Sequence, residues 1–463
     1  MTTDRRGGGE GLFADLYELT MAASYLRHGL SEPATFDLTV RRLPPRRAFL
    51  VACGLDAALR DLEELHFDTA AIAYLASLDM FDDTFLQHLS QLRFTGDVWA
   101  IPEGEVAFAQ EPLLRVTAPI IEAQIVETLL LNRIGYQTMI ATKAARVAFA
   151  CGDRSFVDFS ARRDHGFDAA MFTARAAYMC GASGTSLVAA GEAFGIPLSG
   201  TMAHSYVTRF ADESEAFRTF AEDFPGRATL LLDTYDTEEG ARLVARLADR
   251  LRGAGALPSA VRIDSGDLDV LARAVRAILD EAGLTDVRIV ASGDLDEYRV
   301  ADLVAAGAPI DAFGVGTQLG TGGDVSHLDV VYKLVDDTTG PKLKLSSGKR
   351  TIPGRKQVHR VRVDGRYAYD VLALDDEDPP PGSDALLQPV MAGGRRRAPA
   401  QDLTALRDRA ARALAALSPE LRRLDGAEPP YEVRLSEPLA QLERRLHARH
   451  AAPAAPVISP PRG

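Results

Sequence analysis

From Ser155 onward the chain repeats one pattern: a short apolar run, a polar end, then an amphipathic stretch. Apolar runs over 156–159, 196–201, 228–232, 261–263, 287–291 and 312–315 predict buried strands. The stretches between them predict helices, with Gly191, Gly253, Gly283 and Gly307 as their stops. Such alternation implies parallel strands joined by right-handed crossovers. Six strands plus 330–334 fall slightly short of eight, so an irregular α/β barrel is expected over 151–337.

The first third reads differently. Leu12, Leu16, Leu19, Ala23 and Leu26 are spaced 4, 3, 4, 3, one face of a helix that Gly29 ends. Residues 36–40 alternate like a strand, and Arg41-Arg-Leu-Pro-Pro-Arg-Arg47 forms a basic turn. Helical stretches are predicted over 54–65 and 68–89. Strands follow over 96–116, broken by Pro102-Glu-Gly104 and Glu111-Pro112, and then a long helix over 122–150. Residues 11–150 therefore read as a mixed α/β domain. Beyond Asp337 the chain is basic and turn-rich (342–356) and gains a strand pair. A Pro-rich link at Asp378-Pro-Pro-Pro381, a helix over 403–417 and a disordered tail from Ala451 complete a 338–450 segment.

Composition narrows the classes. The chain has 463 residues, enough for two or three domains, with 46% hydrophobic and 25% charged residues, as in soluble globular proteins. A net charge of −13 argues against nucleic acid or anionic membrane as partner. Cys53, Cys151 and Cys180 form no CxxC pair, which fits reduced thiols in a cytoplasm and gives no zinc site. Met1 to Glu10 lack an apolar core, so they read as a tail rather than a signal peptide. No apolar run reaches the ~18 residues that would span a bilayer.

The polar strand ends carry the candidate chemistry, because active sites of parallel barrels lie at the carboxyl ends of their strands. Thr201 and His204 stand where one run stops. Others end in Leu232-Asp-Thr-Tyr-Asp236, Ile263-Asp-Ser-Gly-Asp267, Ala291-Ser-Gly-Asp294 and Gly314-Val-Gly-Thr317. Asp233 and Asp264 lie 31 positions apart, matching the ~31 residues of one strand-helix unit when ~250 residues make eight. Each aspartate has two readings, as a helix cap or as a group facing sugar hydroxyls and Mg²⁺. His204 is either a satisfied structural histidine or a functional one. Arg162 and Arg163 form either a solvated pair or an anion site. Ser292-Gly293 and Gly316-Thr317 suit a phosphate cradle, since glycines let backbone N–H groups approach. Tyr17 lies off its helix's apolar stripe and faces another element or another subunit.

Taken together, Asp15-Leu-Tyr-Glu-Leu-Thr-Met21, Thr142-Lys-Ala-Ala-Arg146, Arg162-Arg163, Gly200-Thr-Met-Ala-His-Ser205, Val261-Arg-Ile-Asp-Ser-Gly-Asp-Leu268 and Gly314-Val-Gly-Thr317 resemble the nicotinate phosphoribosyltransferases, from Asp15 to about Lys333. The resemblance implies a type II phosphoribosyltransferase barrel with a second domain built from both chain ends, in a homodimer with shared active sites. It implies nicotinate, 5-phosphoribosyl 1-diphosphate and ATP as substrates, Mg²⁺ as cofactor, and NAD salvage as the role. It further implies Tyr17 stacking on the pyridine ring, Thr201 and Arg262 at the nicotinate carboxylate, and His204 phosphorylated by ATP. Asp264 would lie by ribose and diphosphate, Arg162 and Arg163 by phosphate, and Thr317 with Gly316 by the 5′-phosphate. The chain departs from the family at Asp158-Phe-Ser160, where many relatives carry Glu-Phe-Gly.

Nicotinamide-specific relatives place an aspartate where this chain is expected to have Ser183, and an acid there would repel a pyridine carboxylate. Ser183 therefore favours the acid substrate. A quinolinate enzyme would lack the His204 motif. A sugar-phosphate aldolase would want a Schiff-base lysine or a histidine-rich metal set. An inactive dimeric scaffold would not need Arg262, Asp264 and His204 together.

Overall fold

The computed structural model describes residues 10–345 and 351–451. The expected tails before Glu10 and after Ala451 lie outside them. Two sheets organise the chain. The first is antiparallel and seven-stranded, in the order Gly340–Pro341, Val330–Asp337, Pro33–Val40, Pro112–Pro119, Asp97–Ala100, Gln388–Ala392, Arg395–Arg396. It draws on the start of the chain, the segment after the barrel and the C-terminal third. The run over 330–334 was expected in the barrel, but it belongs here. Val330–Asp337 runs antiparallel to Pro33–Val40, pairing Leu38 with Tyr332 and Val40 with Val330. The barrel thus ends before the expected boundary at residue 337.

Pro33–Val40 alternates because its two faces meet different surroundings. Phe36, Leu38 and Val40 are buried, and Phe36 stacks on Tyr332 with ring centroids 4.8 Å apart. On the other face the Thr35 and Thr117 hydroxyls lie 2.9 Å apart and Asp37 pairs with Lys356 at 2.8 Å. A four-stranded sheet (Asp384–Ala385, Lys356–Val363, Arg366–Leu374, Val433–Leu435) packs beside it. Arg360, wholly buried, pairs with Asp370 on the neighbouring strand of the same sheet at 2.6 Å and reaches Glu105, just before strand Val106–Ala107, at 3.2 Å.

The barrel sheet is parallel, in the order Ser155–Asp158, Ala312–Val315, Arg288–Ala291, Ala260–Ile263, Thr229–Leu231. Past Ser155–Asp158 it continues only as single bridges, Asp158 to Thr185 and Thr185 to Leu198. The strand expected over 196–201 is therefore one bridge. Pro197 has no N–H for a ladder, and its carbonyl accepts from Thr185 N–H instead. Contact between Thr201 at one end of this order and Arg262 near the other shows that the sheet curls. One helix stop moves: Val188–Phe194 is capped by the left-handed Gly195 (φ +67°) rather than by Gly191, whereas Thr237–Gly253 ends at Gly253 as expected. The helix expected over 68–89 is two, Thr69–Ala76 and Asp83–Gln91, because Asp82 caps a new start by accepting from Phe85 N–H.

Helix Glu127–Cys151 lies between the two sheets and is buried on most of its surface. It touches strands Leu50–Val51, Val330–Asp337 and Ser155–Asp158, as well as helices Phe167–Met179 and Glu297–Ala305. Among the described residues no helix is long and apolar enough to cross a membrane. Replacing Arg360 with Met would strand the buried carboxylates of Asp370 and Glu111. A loss of about 3–5 kcal/mol in unfolding free energy is expected, read from urea denaturation; an unchanged midpoint would show that the buried ion pair does not stabilise the fold.

Candidate active site at the carboxyl rim of the barrel

The rim sorts the aspartates by role. Asp236, Asp267 and Asp296 cap helices Thr237–Gly253, Leu268–Glu281 and Glu297–Ala305, each accepting from a backbone N–H three residues on. Asp233 and Asp264 cap nothing and face each other's strand ends. Asp233 Oδ2 accepts from Asp264 N–H at 3.0 Å and from the Ser265 hydroxyl at 2.5 Å. Ser292 donates to Asp264 Oδ1 at 2.5 Å. Asp233 Oδ1 is buried without a partner. Three successive strand ends are thereby joined in one hydrogen-bonded ladder. Gly293 lets them meet: at φ +92°, a Cβ there would lie 1.9 Å from the Asp264 carbonyl oxygen.

Arg262 stands beside this ladder. Strand alternation buries Val261 and Ile263 and turns Arg262 the other way, where its Nη1 donates to Thr201 Oγ1 at 2.5 Å. Burial pushes its guanidinium below the ordinary value, and the charge of Arg162 pushes the same way, while Asp264 and Asp233 oppose both. Its Nε is buried with no partner. His204 opens the short helix His204–Arg209, and its Nδ1 lies 3.1 Å from the Thr234 hydroxyl, which leaves Nε2 as the ring nitrogen not engaged by Thr234.

At the next strand ends Asp158 is buried and accepts from the Ser160 N–H (2.9 Å), the Ser160 hydroxyl (2.6 Å) and Thr185 (2.8 Å). The departure from Glu-Phe-Gly is thus a matched pair, with the Ser160 hydroxyl meeting a shorter acid. Ser160 Oγ also lies 3.1 Å from Asp164. Burial, with the Asp158 charge, lifts the Asp164 carboxyl to about 6. Arg162 and Arg163 are exposed on this turn and make no side-chain hydrogen bond or ion pair among the described residues. Gly316 precedes the short helix Thr317–Gly320, and Thr317 is exposed with its side chain unbonded.

Two expected site residues bond elsewhere than in this cluster. The Ser183 N–H and hydroxyl both donate to the Phe156 carbonyl, two residues short of the rim at Asp158. Ser186 occupies the rim instead, donating its N–H to the Asp158 carbonyl. Tyr17, on helix Leu16–Arg27, is 45% exposed beside Glu127. Burial and the Glu127 and Glu18 carboxyls push its hydroxyl up. Sequence reasoning missed Thr185, Ser186 and Thr234. Thr234 sat inside a quoted motif, but the turn-like run Gly181-Ala-Ser-Gly184 hid the strand to which Thr185 and Ser186 belong.

A curled parallel sheet with carboxylates, hydroxyls and glycine turns at its carboxyl rim, beside a sheet built from both chain ends, is the fold of type II phosphoribosyltransferases. Residues 12–135 match the nicotinate phosphoribosyltransferase (NAPRTase) N-terminal domain, 154–363 the nicotinate phosphoribosyltransferase (NAPRTase) family, and 382–443 the nicotinate phosphoribosyltransferase C-terminal domain. The chain is 48% identical over 439 residues to nicotinate phosphoribosyltransferase pncB2 of Mycobacterium tuberculosis, covering 94% of each. It is 43% identical over 380 residues to the Bacillus subtilis nicotinate phosphoribosyltransferase, covering 79% of this chain and 76% of that one. The crystal structure of human nicotinic acid phosphoribosyltransferase superposes with a TM-score of 0.84 at 30% identity, covering 93% of this chain and 99% of that one. The chain belongs to the nicotinate phosphoribosyltransferase family.

Two outcomes test the geometry. Gly293→Ala should cost at least about 1–3 kcal/mol of stability through backbone strain, and unchanged unfolding would show that the strand ends do not meet. Asp164 carries a folded pKa near 6 against an ordinary 3.8, so the folded protein binds the extra proton between those values. Stability from this group should therefore fall as pH rises from 4 to 6. Asp164→Asn should flatten that part of the pH–stability curve and leave the protein more stable at pH 7.5.

Proposed function

We propose that this rim joins nicotinate to 5-phosphoribosyl 1-diphosphate, releasing nicotinate mononucleotide and diphosphate, as a step of NAD salvage in the cytoplasm. The observation that carries the reading is the half-desolvated Arg262, bonded to Thr201 and set beside the Asp264–Asp233 ladder. A guanidinium suited to a planar carboxylate thus stands next to acids suited to ribose hydroxyls. The relatives named for nicotinate support the substrate. The rim residue Ser186, like Ser183, is uncharged, so neither repels a pyridine carboxylate as an aspartate would.

In the reaction the bond from the anomeric carbon to diphosphate breaks, a sugar cation develops, and the ring nitrogen forms the new bond. Positioning can supply ~7–11 kcal/mol of such a barrier, so no side-chain nucleophile is required. Arg262 and Thr201 orient the pyridine, Asp264 and Asp233 hold the ribose, and Ser292-Gly293 with Gly316-Thr317 present N–H and hydroxyl donors to phosphate. Arg162 and Arg163 face the departing diphosphate. Tyr17, exposed, would stack on the pyridine bound by a second copy, which makes the unit a homodimer with shared sites.

Mg²⁺ fits this donor set. Asp233 offers a buried oxygen without a partner, and no group of three acidic, histidine or cysteine ligands exists among the described residues. That is the pattern of a cation held by one or two carboxylates and by substrate phosphates. When bound it neutralises charge developing on diphosphate. ATP would donate its terminal phosphoryl group to His204 Nε2, releasing ADP, and water would later release the group as phosphate. The added charge reorganises the rim while it lasts.

Turnover of nicotinate against nicotinamide, with and without ATP, tests substrate and coupling together. Nicotinate should react, faster with ATP, and labelled ATP should leave acid-labile phosphate on the protein. Equal labelling of His204→Ala would remove the histidine from the scheme. Arg262→Lys should raise the nicotinate KM by about tenfold or more, and an unchanged KM would remove Arg262 from the carboxylate.

A further inference from the structure

The motif Thr142-Lys-Ala-Ala-Arg146 has no place in the chemistry above, yet its side chains are among the most buried in the protein. Lys143 and Arg146 are one helical turn apart on Glu127–Cys151, and their side chains are 2% and 1% exposed. Lys143 Nζ meets two carboxylates from separate loops: Glu297 Oε2 at 2.5 Å and Asp324 Oδ1 at 3.2 Å. Glu297 begins the helix that follows Ser292-Gly293, and Asp324 ends the turn that follows Gly316-Thr317. Arg146 Nε also binds Glu297, at 3.0 Å, and Arg47 closes the ring on Asp324 at 2.5 Å.

The turn itself is shaped around the ammonium. Gly322 and Gly323 both have positive φ (+76° and +61°), and a Cβ on Gly323 would lie 2.8 Å from Lys143 Nζ. The same helix holds the preceding residues, since the Tyr136 hydroxyl donates to the Gly320 carbonyl at 3.2 Å. Burial works to raise the Glu297 and Asp324 carboxyls, but Lys143 with Arg146 and Arg47 outweighs it and keeps both below the ordinary range. The ring is therefore ionic, and it is costly to open because Lys143, Arg146, Arg47 and Glu297 would be left as buried charges.

We infer that Lys143 is a positioning residue that sets the spacing between the Ser292-Gly293 loop and the Gly316-Thr317 loop, so that both face one phosphoribosyl group. This rests on the phosphate roles proposed above for those loops. Neither Lys143 nor Asp324 touches substrate in this scheme; they act through the backbones they hold.

Asp324→Asn is the test, because Asp324 is 36% exposed and the change is isosteric, so the fold survives. Amide hydrogen exchange without substrate should quicken at 317–323 and also at 292–296, which Asp324 does not touch. In turnover the KM for phosphoribosyl diphosphate should rise about tenfold while that for nicotinate stays within about twofold. Asp324→Glu, which keeps the charge, should recover part of both effects. Faster exchange confined to 317–325 with KM unchanged would overturn the inference, as would equal rises in both KM values. The underlying phosphate roles fail separately: a Thr317→Val enzyme with unaltered KM for phosphoribosyl diphosphate would overturn them whatever the exchange data show.

Discussion

Charges buried on helix Glu127–Cys151 constrain everything around it. A charge taken out of water and left without a partner costs several kcal/mol, so each one dictates where its partner must stand. Arg133 fixes Asp61 at 2.5 Å on the side of the antiparallel sheet, while Lys143 and Arg146 fix Glu297 on the barrel side. Arg175 does the same between the barrel helix Phe167–Met179 and Glu103 at 2.8 Å. Apolar packing would tolerate small slides between the two sheets, whereas paired buried ions admit one relative placement. The rim inherits its geometry from that placement.

The rim is economical because each strand end serves twice. In Asp233-Thr-Tyr-Asp236 and Asp264-Ser-Gly-Asp267 the second acid starts the next helix, and the first is freed to face the neighbouring strand. A helix needs its cap close to its first turn, and a site needs its acid close to the strand end. Three residues separate the two requirements, so one short loop satisfies both. The two acids are tolerable side by side because Asp233 accepts from a backbone N–H and the Ser265 hydroxyl, and Asp264 accepts from the Ser292 hydroxyl.

Most of this was legible in the residues where a local rule decides the outcome. The apolar runs of five barrel strands, the long helix and the clustering of Thr201, His204, Asp233, Asp264 and Ser292 followed from periodicity and from strand ends, while Arg262 entered through the family resemblance. What escaped depended on distant partners. The run at Val330–Asp337 is as apolar as a barrel strand, and only its pairing with Pro33–Val40 assigns it elsewhere. Thr185 and Ser186 sit on a strand reduced to single bridges, with too little ladder to leave a pattern. Ser183 was matched to the aspartate of nicotinamide-specific relatives, yet strand register, invisible in one chain, puts Ser186 at the rim. Lys143 looked like any helix lysine until Glu297 and Asp324 converged on it.

Threading the antiparallel sheet from both ends of the chain has a price during translation. Pro33–Val40 is central in the finished sheet, but Val330–Asp337, one of its two neighbours, leaves the ribosome about 290 residues later. At roughly 5–20 residues per second this strand waits about 15–60 s with one edge unpaired, a known liability for aggregation. The nascent chain must therefore keep a half-built sheet from pairing with other polypeptides until the barrel has emerged, and a chaperone that shields strand edges would act on this protein in that interval.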